Sequence, residues 1–153
     1  MPKAIDESIW TWPDAQPRLR GSQCEGCSAK VFPAQEHCPA CSVGAMTELL
    51  LPRKGTLIAW TTQGFAPGAP YVGPTGDDFT PFGVGLVQLG DVVRVEGRLT
   101  ESDPAKLRFG MGVELTVIPF ATDAEGNEVM TFAFQPFQPG QSAPINDSRQ
   151  EPA

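Results

Sequence analysis

One histidine, one tyrosine and four cysteines are all that this 153-residue chain offers of three chemically versatile side chains. The cysteines are confined to Cys24, Cys27, Cys38 and Cys41, so a thiol nucleophile would have to be taken from a paired motif. His37 stands directly beside Cys38, where contact with solvent or a neighbouring backbone group is a simpler role than that of a general base. The carboxylates Asp77 and Asp78, and Glu101 with Asp103, fall in turn-like stretches where solvated or capping roles are the default, so no acid/base pair is assembled. Gly83-Val84-Gly85 and Gly110-Met111-Gly112 lack the fingerprint of a phosphate loop and read as tight backbone. A catalytic set is therefore missing.

Long apolar runs are missing too. No window approaches the ~18 to 20 residues that a helix needs to cross a bilayer, which excludes a membrane helix. The stretch from Met1 to Trp10 has no apolar segment of the signal-peptide kind, so the expectation is a cytoplasmic protein with reduced thiols. Basic residues are scarce, 11 Lys and Arg against 18 Asp and Glu, for a formal charge of −7. Around the cysteines Arg18, Arg20 and Lys30 are offset by Glu25, Glu36 and Glu48 rather than gathered into a phosphate-binding stripe, which argues against nucleic acid as a partner.

What the chain does have is two copies of one motif, Cys24-Glu25-Gly26-Cys27 and Cys38-Pro39-Ala40-Cys41. Two such knuckles can aim four thiolates at a common point, forming the tetrahedral shell that zinc prefers, with Zn–S near ~2.3 Å. Iron fits the same shell. Two disulfides or four free thiols are the alternatives.

Sixteen glycines and sixteen prolines favour short strands and turns over helices. Strands are predicted over 46–52, 55–63, 82–89, 92–99, 112–120 and 129–134, from their β-branched and aromatic content and their alternation. Gly90-Asp91 is predicted to turn a hairpin in which Val93, Val95, Gly97 and Leu99 share a buried face. Asp103 before Pro104 signals one or two helical turns, which Gly110 cuts short. Trp10 and Trp12 read as packing anchors. Five or six strands with a short helical insertion, following a small metal module, suit a Greek-key barrel of the OB type. The stretch 138–153, rich in Pro, Gln and Ser, is expected to be a flexible tail.

The order of these features resembles one family. Gly21-Ser22 before the first knuckle, Phe32-Pro33, the second knuckle, the run from Lys54 to Thr61, the hairpin, and the run from Asp103 to Met111 are together similar to the acyl-CoA-associated family catalogued as domain of unknown function thirty-five, over residues 10 to 137. The stretches 70–76 and 82–85 look most like members that accompany thiolases, among them the small subunit of benzoylsuccinyl-CoA thiolase. One departure is Ser28, where members usually carry glycine; a positive φ there would be mildly strained by serine.

The resemblance implies a mostly β chain: a rubredoxin-like zinc ribbon packed on an OB barrel. The expected division is an N-terminal docking segment over 1–20, the ribbon over 21–50, the OB domain over 51–137 and the tail. It implies zinc, with iron as the lesser choice, on Cys24, Cys27, Cys38 and Cys41. It further implies a non-catalytic subunit of a hetero-oligomeric enzyme that makes or breaks C–C bonds of CoA thioesters. A thiolase-like or aldolase subunit would then supply nucleophile and base. Acyl-CoA would be held at the shared interface, with Tyr71, Phe79 and Phe82 from the long aromatic loop 64–83 at the partner surface or acyl-CoA channel. The competing readings are a free-standing acyl-CoA or nucleic-acid binding OB module, a rubredoxin-type iron protein, and, for the loop aromatics, a plug in one end of the barrel.

Overall fold

The computed structural model describes residues 1–91 and 93–137, so the expected tail lies outside the described residues. The described residues form nine strands: β1 (Lys3–Ala4), β2 (Arg20–Cys24), β3 (Lys30–Val31), β4 (Met46–Leu50), β5 (Lys54–Gln63), β6 (Phe82–Leu89), β7 (Val93–Leu99), β8 (Gly112–Thr122) and β9 (Glu128–Pro136). The order β5-β6-β7-β9-β8 closes on itself because β8 pairs with both β5 and β9. That is a five-stranded OB barrel, and closure removes the unpaired edges an open sheet would leave.

The chain alternates as a half-buried barrel wall must. In β6 the glycines 83 and 85 with Val87 and Leu89 face inward, and in β7 Val95, Gly97 and Leu99 do so. Small residues are required at the crowded points. A Cβ on Gly97 would lie 2.9 Å from the Phe134 ring, and one on Gly85 would lie 2.6 Å from Leu57. Leu57, Val87, Leu89, Val95, Val113, Leu115 and Phe134 fill the interior, and Leu107 joins them just after the helical turn Pro104–Lys106. Asp103 caps that turn by accepting from the Ala105 N–H at 2.9 Å.

The hairpin closes one residue later than the Gly90-Asp91 turn predicts, since Leu89 pairs with Val93. The inward face is the expected one. Gly90 has φ 57°, the left-handed conformation its position requires.

The second sheet, β3-β2-β4, is the ribbon, with Arg20 opposite Leu50 and Cys24 opposite Met46. It is tied to the barrel through the segments on either side of it. Trp10 is fully buried and meets Phe132 of β9 edge-on at 6.2 Å, as Phe32 of the ribbon also does. Trp10, Leu19 and Leu51 thereby join the barrel core. β1 adds to β9 in parallel, and Lys3 bonds Asp123 at 2.6 Å across the β8–β9 turn. Among the described residues no helix is long and apolar enough to cross a membrane.

Candidate functional site

The two knuckles fold alike. In each the N–H of the residue after the second cysteine donates to the carbonyl of the first cysteine at 3.0 Å, from Ser28 to Cys24 and from Ser42 to Cys38. Both serines sit in the left-handed region, φ 65° and 67°. The strain anticipated at Ser28 is thus present twice, and it costs each position roughly 1–2 kcal/mol that something else in the knuckle must offset.

The geometry of the sulfurs supplies that something. Cys24 Sγ lies 3.7 Å from Cys41 Sγ, Cys27 Sγ lies 3.6 Å from Cys38 Sγ, and all four fall within 4.8 Å of one another. None of them is in a disulfide. A tetrahedron with arms of ~2.3 Å has edges of ~3.8 Å, so the cluster has the size of a single four-thiolate metal cage. Backbone N–H groups already point at the sulfurs. Gly26 donates to Cys24 Sγ at 3.2 Å and Ala40 to Cys38 Sγ at 3.3 Å, as an outer shell does when it must stabilise thiolate charge.

These donors polarise the cluster. The N–H groups of Cys41 and Ala40 hold the Cys38 thiol down at about 6, and those of Val43 and Gly44 lower Cys41. Cys27 accepts from the Ala29 N–H, but the neighbouring Cys38 thiol and burial push it up to about 11. A cation must displace every remaining thiol proton, so metal affinity falls as pH falls.

Sequence reasoning missed Gly44. It lies three residues past the second knuckle, and a Cβ there would collide with Cys24 Sγ and lie 3.1 Å from the Gly26 N. A glycine three positions beyond a knuckle was the available signal. Gly44→Ala is expected to speed metal transfer to a chelator by about tenfold or more, the size of an outer-shell defect, while leaving the barrel's denaturation midpoint unchanged. Metal release rates and barrel unfolding, measured on the same sample, check this.

The two arginines beside the knuckles are engaged within the chain: Arg20 with Glu48, and Arg18 with the Leu50 and Leu51 carbonyls at 3.0 and 2.9 Å. His37 is exposed and bridges to Ala45.

The loop between β5 and β6 lies on the barrel rather than apart from it. Tyr71 meets Phe120 edge-on at 5.7 Å and donates to the Pro74 carbonyl at 3.0 Å. Phe120 is the residue skipped where the β8–β9 register slips between Pro119, opposite Met130, and Ala121, opposite Val129. Phe79 packs on Phe82 at 6.0 Å, and the Arg98 guanidinium lies 3.9 Å over the Phe82 ring. Tyr71, Phe79 and Phe82 are therefore partly buried within their own chain. The large apolar loop side chains that stand outward are Phe65, 74% exposed, and Val72, 63% exposed.

Comparison with known proteins agrees with this architecture. Residues 11–47 match the family model described as the ChsH2 rubredoxin-like zinc ribbon domain, and residues 50–117 match the ChsH2 C-terminal OB-fold domain. A DUF35 domain-containing scaffold protein of Methanothermobacter thermautotrophicus is 28% identical over 143 residues, 88% of this chain and 98% of that protein. One from Pyrococcus furiosus is 30% identical over 121 residues, 78% of this chain and 83% of that protein. The fold is shared with the solved Ltp2-ChsH2(DUF35) aldolase, at TM-score 0.57 and 24% identity over 78% of this chain and 84% of that one. Ribbon, barrel and full-length relatives converge: this chain belongs to the DUF35 family of zinc-ribbon and OB-fold proteins.

Proposed function

We propose that this chain is a scaffold subunit that docks a thiolase-like or aldolase partner and helps to shape the place where that partner holds an acyl-CoA thioester. The observation that carries the reading is coverage. The chain spans 98% of a relative described as a scaffold protein, so that relative is built from the same two modules and little else. The aldolase that shares the fold has two names, one of them that of a DUF35 chain, which is the mode of assembly proposed here.

In this reading Cys24, Cys27, Cys38 and Cys41 hold one zinc ion as a closed structural site, which fixes the ribbon against the barrel and presents the surface to the partner. A ferric ion in the same cage would colour the protein, and zinc would not. The partner contributes nucleophile and base. Phe65 and Val72 make the first contact, because they are exposed apolar side chains on a loop whose inner aromatics, Tyr71 and Phe79, hold it to the barrel.

The test is production of the chain with a thiolase-like protein encoded beside it. Changing Phe65 and Val72 together to serine is expected to weaken capture of the partner by about tenfold or more while the melting temperature of the isolated chain stays within a few degrees, since exposed residues contribute little to folding. Tyr71→Ala is expected to lower both, through lost packing on Phe120. Turnover of an acyl-CoA by the chain alone, surviving removal of every copurifying protein, would overturn the scaffold reading.

A further inference from the structure

We propose that the recess framed by Arg98, Phe82, Thr80, Thr100 and Ser102 is a receptor for one phosphate group of a small ligand. The recess has a volume of about 350 Å³ and lies where β6 and β7 meet the long loop, with Leu99 and Ile118 also lining it. Strands two and three of an OB barrel, with the loop between strands one and two, are the part of this fold that faces ligands in general. Here those elements are β6, β7 and residues 64–81.

The case turns on Arg98. Among the described residues four arginines have acceptors: Arg18 on backbone carbonyls, Arg20 on Glu48, Arg53 on Glu114, and Arg94 on Gln88. Arg108 is exposed to water. Arg98 is partly buried, yet among the described residues it has no carboxylate partner and no hydrogen-bond acceptor, only the Phe82 ring beneath it. Burial disfavours its charge, with partial relief from Tyr71. Stacking fixes the plane of the guanidinium and leaves its N–H edge free to meet an oxyanion.

Three hydroxyl side chains share the recess, Thr80, Thr100 and Ser102, and none of them is hydrogen-bonded to a described residue. A carboxylate is satisfied by the guanidinium fork alone. A terminal phosphate has three oxygens and can take the fork and the hydroxyls together. An extended polyanion is disfavoured, because Glu96 shares the outer face of β7 with Arg98 and Asp77 and Asp78 stand just before Phe79 and Thr80.

All five residues belong to this chain, so the pocket stands or falls apart from the partner. The scaffold reading bears only on the source, the phosphates of a CoA thioester as against free phosphate. The experiment titrates the full chain at low salt with inorganic phosphate, adenosine 3′,5′-bisphosphate and adenosine, following backbone amide shifts. Saturable shifts confined to residues 79–84 and 98–102 are expected with a phosphate-bearing probe and none with adenosine. Preference for the bisphosphate would point to a nucleotide source, and equal binding to free phosphate; both support the pocket. Arg98→Gln is expected to weaken binding by about tenfold or more, the scale of a charge-assisted hydrogen bond. Should that variant fold poorly, Thr100→Val with Ser102→Ala, at exposed positions, is expected to weaken binding several-fold. The proposal is overturned if no probe saturates below ~10 mM or if neither variant changes affinity. It is equally overturned if shifts spread over all surface lysines and arginines. A chain that fails these tests yet still captures a thiolase-like partner would sink the pocket alone.

Discussion

Replacing Cys38 by serine is expected to unfold the segment from Arg20 to Leu50 while the barrel from Lys54 to Pro136 keeps its fold. The reason is the composition of the ribbon's interior. Between residues 20 and 50 the only buried apolar side chains are Cys24 and Cys38; Phe32 and Leu49 are partly buried, packed against the barrel core. A module of this size cannot bury enough surface to fold alone, and below roughly 40 residues a metal or disulfides usually make up the difference. No disulfide is present, and structural zinc in comparable small modules supplies roughly 10–16 kcal/mol of apparent binding free energy at neutral pH. Loss of one ligand forfeits much of that, and the two left-handed serines then revert. Amide exchange should show protection lost across β2, β3 and β4 and kept across β5 to β9, in the serine variant and in the wild type after chelation. Metal analysis should fall from one equivalent to near zero. Protection of the ribbon unchanged by chelation, with less than about half an equivalent of metal at the start, would refute it.

How much of this was legible in the sequence depends on the range of the interaction. The knuckles, the Asp103 cap and the strand periodicities are signals carried within a few residues, and the structure has each of them. The strain at Ser28 was legible because a knuckle needs a positive φ after its second cysteine. By the same logic Ser42 could have been named. The one-residue difference in the hairpin arose because register is decided by pairing along the whole of β6 and β7, not by the turn alone. Contacts between distant residues were out of reach. Nothing local says that Arg98 stacks on Phe82, that β1 adds to β9, or that a bulge at Phe120 accompanies its contact with Tyr71. Exposure followed the same divide. The loop's aromatics were recognisable as meaningful, but which of them face outward is settled by the barrel end they meet.

Glu114 marks that divide most sharply and yields the second large effect. Alternation along β8 would set it opposite in character to Val113 and Leu115, facing water; instead it is as buried as they are, 3% exposed. The cause lies 61 residues away. Arg53, in the connection between ribbon and barrel, gives Glu114 an N–H at 3.0 Å, the Leu115 carbonyl another at 3.1 Å, and the Pro17 carbonyl a third at 3.1 Å. One guanidinium thus joins the N-terminal segment, the ribbon exit and the barrel wall. Removing one partner of a buried pair leaves a charge without compensation, at about 3–5 kcal/mol, whereas replacing both by apolar groups of similar volume is often nearly neutral. Arg53→Ala is expected to be the worst variant, since it strands the more deeply buried carboxylate and also leaves two carbonyls unmet. Glu114→Ala should follow, and Arg53→Met with Glu114→Leu should recover much of the loss. Denaturant midpoints give that order directly. The double variant should nonetheless keep a weakened tie between ribbon and barrel, because methionine cannot donate to Pro17 and Leu115, and that loss should appear as faster amide exchange at Leu51 and Leu115. If Arg53→Ala costs less than about 1 kcal/mol, the value of an exposed surface pair, the junction is held by the Trp10 packing alone and the charge pair is incidental to it.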